Sequence, residues 1–382
     1  KIDSSRYKDY ILSMLFVKYL SDVYAETKEN YMKQYDGDLR RVERAMSRER
    51  FVMDETSTFT YLYENRRDAE IGQKINVALA AIEKNNSAKL HNVFRAIDFN
   101  STVDFGEPKE KNAILKNLLE DFKDLDLRPS QLDSVDIIGD SYEYMISNFA
   151  SDAGKKGGEF YTPACLVRTM VECIEPYQGR VYDPACGSGG MFIQCAKYVE
   201  AKQGDIKTVN VYGQENDPAT FRLAKMNLAL RGISHHLGEK NGSTFTKDMH
   251  KGLVFDYIMA NPPFNLKRWR TSEELLDDPR WEGYGLPPES NANYGWILHM
   301  LSKLKVDKGV AGFLLANGAL DDSDTLAIRR NLIENDKVEA VFILPRNMFY
   351  STDISVTLWI LNNNKKGGPW HGRNLRDRSG EI

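Results

Sequence analysis

Near the start of the chain, Tyr7, Tyr10, Ile11, Met14 and Leu15 recur at i, i+3, i+4, i+7 and i+8. That spacing lays apolar side chains along one face of a helix. Ile71, Ile75, Leu79 and Ile82 form a second such stripe, and "ILKNLLEDFKDLDL" (114–127) continues the pattern until Pro129 stops it. Charged residues fill the intervening faces and Gly and Pro are scarce, so residues 1–150 read as an all-helical domain. A Gly/Lys-rich stretch, "DAGKKGGEFYTP" (152–163), then changes the rhythm. Beyond it short β-rich runs appear at 180–183, 209–213, 255–260, 310–316, 338–344 and 356–361. Helical segments at 190–202, 217–231, 293–305 and 323–335 alternate with them. The alternation predicts an α/β, Rossmann-like domain over 151–364, with a mostly parallel sheet covered on both faces. Residues 365–382 are polar and basic and read as a linker opening a further, truncated segment.

Bulk composition changes this picture only at its margins. The chain has 382 residues, 42% of them hydrophobic, and a net charge of −4. That suffices for real cores and argues against a surface coated in positive charge. A duplex-binding face is therefore expected to be partial, or completed by a partner. The four cysteines, Cys165, Cys173, Cys186 and Cys195, show neither zinc spacing nor a disulfide framework. Reduced, mostly buried thiols and no metal site are expected. No run approaches membrane-spanning length and no signal peptide is present, so a cytoplasmic protein is expected. A chain beginning on Lys1 and ending on "GEI" reads as part of something longer.

The first strand of the predicted sheet delivers "VYDPACGSGG" (181–190) and then a helix. Strand, glycine turn and helix is how such a sheet presents a ligand at its carboxyl edge. Gly187, Gly189 and Gly190 permit close backbone approach and leave amides free at the helix start. The spacing is Gly187-Ser188-Gly189-Gly190 rather than a dinucleotide fingerprint, and Asp183 precedes it. An acid there suits a ligand carrying an ammonium and a sulfonium better than a pyrophosphate. Glu215, in "GQEND", falls where the second strand ends, and a carboxylate there can accept from two ribose hydroxyls. Asp248 is placed to receive an adenine amino group.

"FDYIMANPPFN" (255–265) carries the chemistry. Pro262 and Pro263 have no backbone N–H, so the loop offers acceptors only. The Asn261 side-chain oxygen and the Pro262 carbonyl can grip both protons of one exocyclic amine, freeing its lone pair to attack a methyl group. Phe264 supplies an apolar face for a base taken out of the stack. A strand stopped by a Pro-Pro turn explains the prolines but not the asparagine and phenylalanine beside them. Cytosine-C5 chemistry would need a cysteine directly after a proline, and neither "PACL" nor "PACG" has one.

"DPACGSGG", "NPPF" and the preceding "GGEFYTP" (157–163) together resemble the gamma-class N6-adenine DNA methyltransferases that use S-adenosylmethionine. More narrowly, "YKDYILSMLFVKYLSD" (7–22), "PPESNANYGWILHML" (287–301), "FLLANGAL" (313–320) and "IRRNLIEN" (328–335) are similar to the modification subunits of type I restriction–modification systems. The resemblance implies that Phe160, Tyr161, Thr162 and Pro163 border the methionine end of the cofactor, with Asp183, Gly187, Ser188 and Gly189 around it. It implies Glu215 at the ribose, Asp248 near the adenine, Asn261 and Pro262 on the target amine, and Phe264 stacking, with Phe349 as a second stacking contact. It further implies DNA as substrate and a separate specificity subunit, commonly serving two modification subunits, with an ATP-driven restriction subunit as a further partner. The family's helical carboxyl-terminal segment, which docks on the specificity subunit, is not found. Residues 265–285, with Lys267, Arg268, Arg270, Trp269 and Trp281, are expected to touch a displaced strand, to close over the site, or to form a solvated loop. A protein glutamine-amide methyltransferase, with tyrosine in place of Phe264, and a non-catalytic cofactor-binding subunit are the alternatives.

Overall fold

The computed structural model describes residues 4–132, 144, 162–349 and 354–365. The chain divides into two compact units, Lys1–Asp152 with Lys225–Gly232, and Ala153–Ala224 with Ile233–Ile382. Phe160, Tyr161 and most of the Gly/Lys stretch lie outside the described residues, as do residues 366–382.

The first unit is helical throughout its described residues. Its opening helix, Ser4–Gln34, departs from the single-stripe expectation. Tyr7 is exposed, whereas every residue from Leu12 to Ser21 is buried. The middle of this helix is covered on every face, so a stripe understates what it buries, while the residues from Asp22 onward are half-buried or exposed. Polar groups inside it are answered locally: Lys18 Nζ pairs with Asp22 at 2.6 Å, and Ser21 Oγ accepts from Phe59 N at 3.0 Å. The helix Ile71–Asn85 does bury the anticipated Ile71, Ile75, Leu79 and Ile82. The third helical segment is shifted: it runs Pro108–Phe122, begun by a proline at its first turn, where no N–H is needed. It ends well before Pro129, which instead opens a single 3-10 turn, Pro129–Gln131.

The second unit holds a seven-stranded sheet: β1 (Gly179–Asp183), β2 (Val209–Gly213), β3 (His235–His236), β4 (Tyr257–Ala260), β5 (Val310–Ala316), β6 (Val338–Ile343) and β7 (Val356–Asn362). Their order is β3-β2-β1-β4-β5-β7-β6, parallel except for β7, which runs antiparallel to both neighbours. The two-residue β3 has no hydrophobic run of its own and left no periodic signal. Phe255, expected in β4, instead makes an isolated bridge to Leu304. Helices Ala164–Ile174, Gly190–Ala201, Asn293–Lys303 and Leu326–Glu334 belong to this unit, the first of them not anticipated, as does the start of helix Pro218–Leu230 up to Ala224.

Strand order reverses between β1 and β4, since β2 and β3 lie on one side and β5 on the other. Connections therefore diverge there and leave a crevice at the carboxyl edge. Tyr182 is in register with Ile258, so the glycine turn and the Asn-Pro-Pro-Phe loop leave adjacent strands at the same level.

The core against this half of the sheet includes Tyr182, Phe245, Trp269, Trp281, Trp296 and Phe313. Residues 265–285 thus belong to the fold. Trp269 and Trp281 are buried, their indole N–H groups donating to Pro288 O at 2.9 Å and Leu275 O at 2.7 Å. Buried Arg270 donates to Pro287 O at 2.9 Å. Neither the nucleic-acid expectation nor the solvated-loop expectation holds for these three. Lys267 and Arg268 remain exposed. Gly295 packs tightly in this core: a Cβ there would sit 3.1 Å from Trp269 and 3.3 Å from Phe245, so the rings would have to give by a few tenths of an ångström. All four cysteines are free; Cys186 and Cys195 are buried but Cys165 and Cys173 are exposed, against expectation.

Candidate active site

The crevice at the strand-order reversal holds a cavity of about 270 Å3. Its walls bring together Thr162, Asp183, Gly187, Ser188, Glu215, Asn261, Pro262 and Phe264 from four separated stretches of sequence.

On the β1 side, Gly187 and Gly189 adopt φ of +54° and +87°, a left-handed region that favours glycine. The amides were expected to be free for a ligand, but two are already engaged. Gly187 N donates to Glu215 Oε2 at 3.0 Å and Gly189 N to Cys186 O at 2.8 Å. Two of the turn's amides are thus engaged, one by a carboxylate from the end of β2, which is opposite to an open nest for phosphate. Glu215, 8% exposed, also accepts from Asp217 N at 2.8 Å through Oε1. These bonds fix the orientation of the carboxylate at the cavity wall.

Asp183 is 1% exposed and accepts from Ala185 N at 2.9 Å. Burial pushes its carboxyl well above the usual range; the Ala185 N–H opposes this and the nearby Glu215 charge adds to it. An acid held in this state gains most from a cationic ligand.

On the β4 side, Asn261 Nδ2 donates to Thr162 Oγ1 at 2.8 Å. Thr162, from the "FYTP" stretch, thus orients the amide. Asn261 Oδ1 is buried and has no hydrogen-bond partner among the described residues. Such an oxygen costs roughly 1–3 kcal/mol unless a donor arrives. Phe264 is half-buried and meets the edge of Phe349 at 6.0 Å and 86°. Phe349 is itself 3% exposed. It buttresses Phe264 and offers no open stacking face of its own.

Pro163 and Gly189 are buried and do not border the cavity. Asp248 is also absent from its wall: Lys303 Nζ pairs with its Oδ2, and Oδ1 accepts from His250 N at 2.9 Å. The wall there is instead Ser243, Thr244 and Phe245. An acid ahead of the strand drew attention to the wrong position, because the loop folds back five residues earlier. Trp296 was also missed. It borders the cavity, packs on Phe245 at 4.2 Å, and its Nε1 is buried without a partner among the described residues. An indole in the helix of "NANYGWILHML" was its only sequence signal.

Among the described residues no group of three or more His, Cys, Asp or Glu is placed to hold a metal ion. Among them, too, no helix is long and apolar enough to cross a membrane. A Rossmann-like crevice with buried acids at the ends of β1 and β2 and an Asn-Pro-Pro-Phe loop after β4 defines an S-adenosylmethionine-dependent methyltransferase fold.

The chain belongs to the N-6 DNA methylase family, whose pattern matches residues 133–374, and an HsdM N-terminal domain matches residues 1–122. It is 46% identical over 240 residues to the type I restriction enzyme HindI methylase subunit of Haemophilus influenzae, an alignment covering 62% of this chain and 54% of that one. It is 31% identical to the MjaIX methylase subunit of Methanocaldococcus jannaschii, covering 96% of this chain and 67% of the relative. The crystal structure of a type I restriction–modification methyltransferase subunit from Streptococcus thermophilus matches with a TM-score of 0.82 at 30% identity, covering 96% and 82% of the two chains. The aligned part of the HindI subunit is thus about half of its length.

Proposed function

We propose that this chain transfers a methyl group from S-adenosylmethionine to the N6 amino group of adenine in duplex DNA, as the modification subunit of a type I restriction–modification complex. The observation that carries the reading is Asn261 Oδ1, a buried acceptor without a donor on the wall of the cavity. With the Pro262 carbonyl beside it, this oxygen would accept the two N6 protons. An aromatic amine so held loses conjugation with its ring, and its lone pair localises on nitrogen. Phe264 would stack on the extruded base, backed by Phe349.

The cofactor fits the opposite wall. S-adenosylmethionine, when bound, supplies an electrophilic methyl group on a sulfonium. Asp183 would face its cationic methionine end, Glu215 would accept from its ribose hydroxyls, and Thr244 and Phe245 would flank its adenine. Gly187 and Ser188 shape the turn between, while Pro163 acts by starting the helix behind Thr162. Positioning and exclusion of water would supply the rate, and no covalent intermediate is required. DNA sequence would be read by a separate specificity subunit serving two modification subunits, with an ATP-dependent restriction subunit joining for cleavage. Two features support shared DNA contacts: the net charge of −4, and relatives that are each one subunit of a type I restriction enzyme.

The test is to purify the protein with its co-encoded specificity subunit and supply methyl-labelled S-adenosylmethionine with duplex DNA. The DNA is then digested to nucleosides. Label in N6-methyladenine is expected. Label in N4-methylcytosine would change the base; bound cofactor with no label in DNA would overturn the reading and turn attention to protein amides.

A further inference from the structure

The stretch "ESNAN" (289–293) lies outside the cavity wall, yet its asparagines are spent on the exit of the catalytic loop. Asn265, the residue directly after Phe264, has φ of +53°, a left-handed conformation that asparagine tolerates better than most side chains. Three hydrogen bonds hold it there, and a fourth holds the next residue, Leu266. Asn265 N donates to Asn293 Oδ1 at 3.0 Å, and Asn293 Nδ2 returns to Asn265 Oδ1 at 2.9 Å. Asn291 Nδ2 reaches the same Oδ1 at 3.2 Å, and Ala292 N donates to Leu266 O at 2.9 Å.

We infer that Asn293 is a positioning residue for methyl transfer, acting through Asn265 to hold Phe264 ready for the target base; this rests on the function proposed above. Asn293 is 3% exposed, and both polar ends of its side chain are committed to Asn265. It is not needed as a helix cap. Asn291 Oδ1 already accepts from Asn293 N at 2.9 Å at the start of helix Asn293–Lys303. A buried amide whose two bonds go to one loop residue gives direction as well as burial, since its donor and acceptor admit one arrangement of that residue. Pro262 and Pro263 fix φ on the entry side of Phe264. The asparagine clamp fixes the exit side. The phenyl face is therefore set from both ends before any base arrives, and the cost of ordering it does not fall on the binding step.

The test uses the protein with its specificity subunit and two duplexes: one with adenine at the target position, on which methyl transfer is measured, and one with 2-aminopurine there, which lacks the N6 amine but whose fluorescence rises when the base leaves the stack. Asn293→Ala is expected to lower kcat by roughly tenfold to a hundredfold while the cofactor Kd stays within about twofold. The fluorescence rise should shrink in parallel. Asn265→Gly removes the same clamp from the loop side without straining a positive φ, and so guards against a folding artefact. It should lower kcat similarly, and the double variant should lose little more than the worse single one, as residues acting through one contact do. An unchanged kcat and fluorescence rise in Asn293→Ala, with wild-type transfer intact, would overturn the inference alone. So would additive losses, or kcat falling only in step with cofactor affinity and thermal stability. A wild-type complex that transfers no label to DNA would overturn it together with the reading it rests on.

Discussion

The loops after β1 and β4 leave neighbouring strands at the same level and face one cavity, but they are built with opposite chemistry. The β1 turn is closed. Its glycines bend it, Gly189 donates its amide to Cys186 within the turn and Gly187 to Glu215 at the end of β2, and Asp183 accepts from Ala185 N. The β4 loop has two residues without N–H groups and one side-chain oxygen with no donor among the described residues. The first loop holds preformed acceptors for a ligand that stays in place through the chemistry. The second keeps one acceptor uncommitted for a group that arrives late. Completed hydrogen bonding marks the binding half, and the deliberate gap marks the reacting half.

The sharpest way to break this contrast is at the segment that supports both halves. Trp281→Ala removes a buried aromatic from the core that carries Phe245 and Trp296, and should cost about 3–5 kcal/mol of stability by denaturant unfolding. If Trp281 instead served a nucleic acid, stability would hold and only DNA affinity would fall.

Asp183→Asn tests the binding half. Losing a charge-assisted contact worth about 1.5–3 kcal/mol should weaken cofactor binding by roughly tenfold to more than a hundredfold in calorimetry. The sign of its pH dependence follows from the raised carboxyl. Stability associated with Asp183 is fully present below its unfolded value, near about 4, and is lost as pH rises through the higher folded value. The ligand-free wild type should therefore lose thermal stability relative to Asp183→Asn on going from acid to neutral pH. A flat difference across that range would contradict the assignment.

His299 gives a pH test of opposite sign. Burial holds its imidazole well below the ordinary range, with Arg280, Lys303 and His250 adding to this. Its Nδ1 lies 3.2 Å from Arg280 Nη1, a group that can only donate, so the ring is neutral and accepts there. The stability it carries is present above the unfolded value, near about 6.5, and is lost as pH falls from there toward the folded value. His299→Gln should flatten the acid side of the thermal-stability profile by a few degrees at most.

Thr162→Val is the mildest change. It leaves Asn261 Nδ2 without its 2.8 Å acceptor and should lower kcat severalfold with cofactor affinity nearly unchanged. A loss of cofactor affinity instead would move Thr162 to the binding half.

What was legible in the sequence follows the same division. Strands β1, β2, β4, β5, β6 and β7 each carry a compact apolar run, and the glycine turn and Asn-Pro-Pro-Phe are local words whose parts are adjacent in the chain. The cavity's adenine-side wall was not legible, because Ser243–Phe245 is placed by a loop and braced from afar. Arg280 does this, donating to Phe245 O at 2.7 Å and Thr244 O at 3.3 Å. Asp248 looked suitable by type and position, but its commitment to Lys303 depends on a contact far along the chain. Trp269 and Trp281 sit among charges in sequence, and only the fold shows that they are core. Long-range partners, which no local period records, account for each of these differences.

The most direct test of the central claim measures two quantities on Asn261→Ala in the complete complex: cofactor Kd by calorimetry, and single-turnover methyl transfer to DNA. The account predicts transfer reduced by roughly a hundredfold to a thousandfold, the scale of losing one group aimed at the reacting atoms. Cofactor affinity should stay within about twofold of wild type. Transfer that survives the substitution, or a loss explained wholly by weaker cofactor binding, would contradict it, because the uncommitted oxygen would then not be what acts on the target amine.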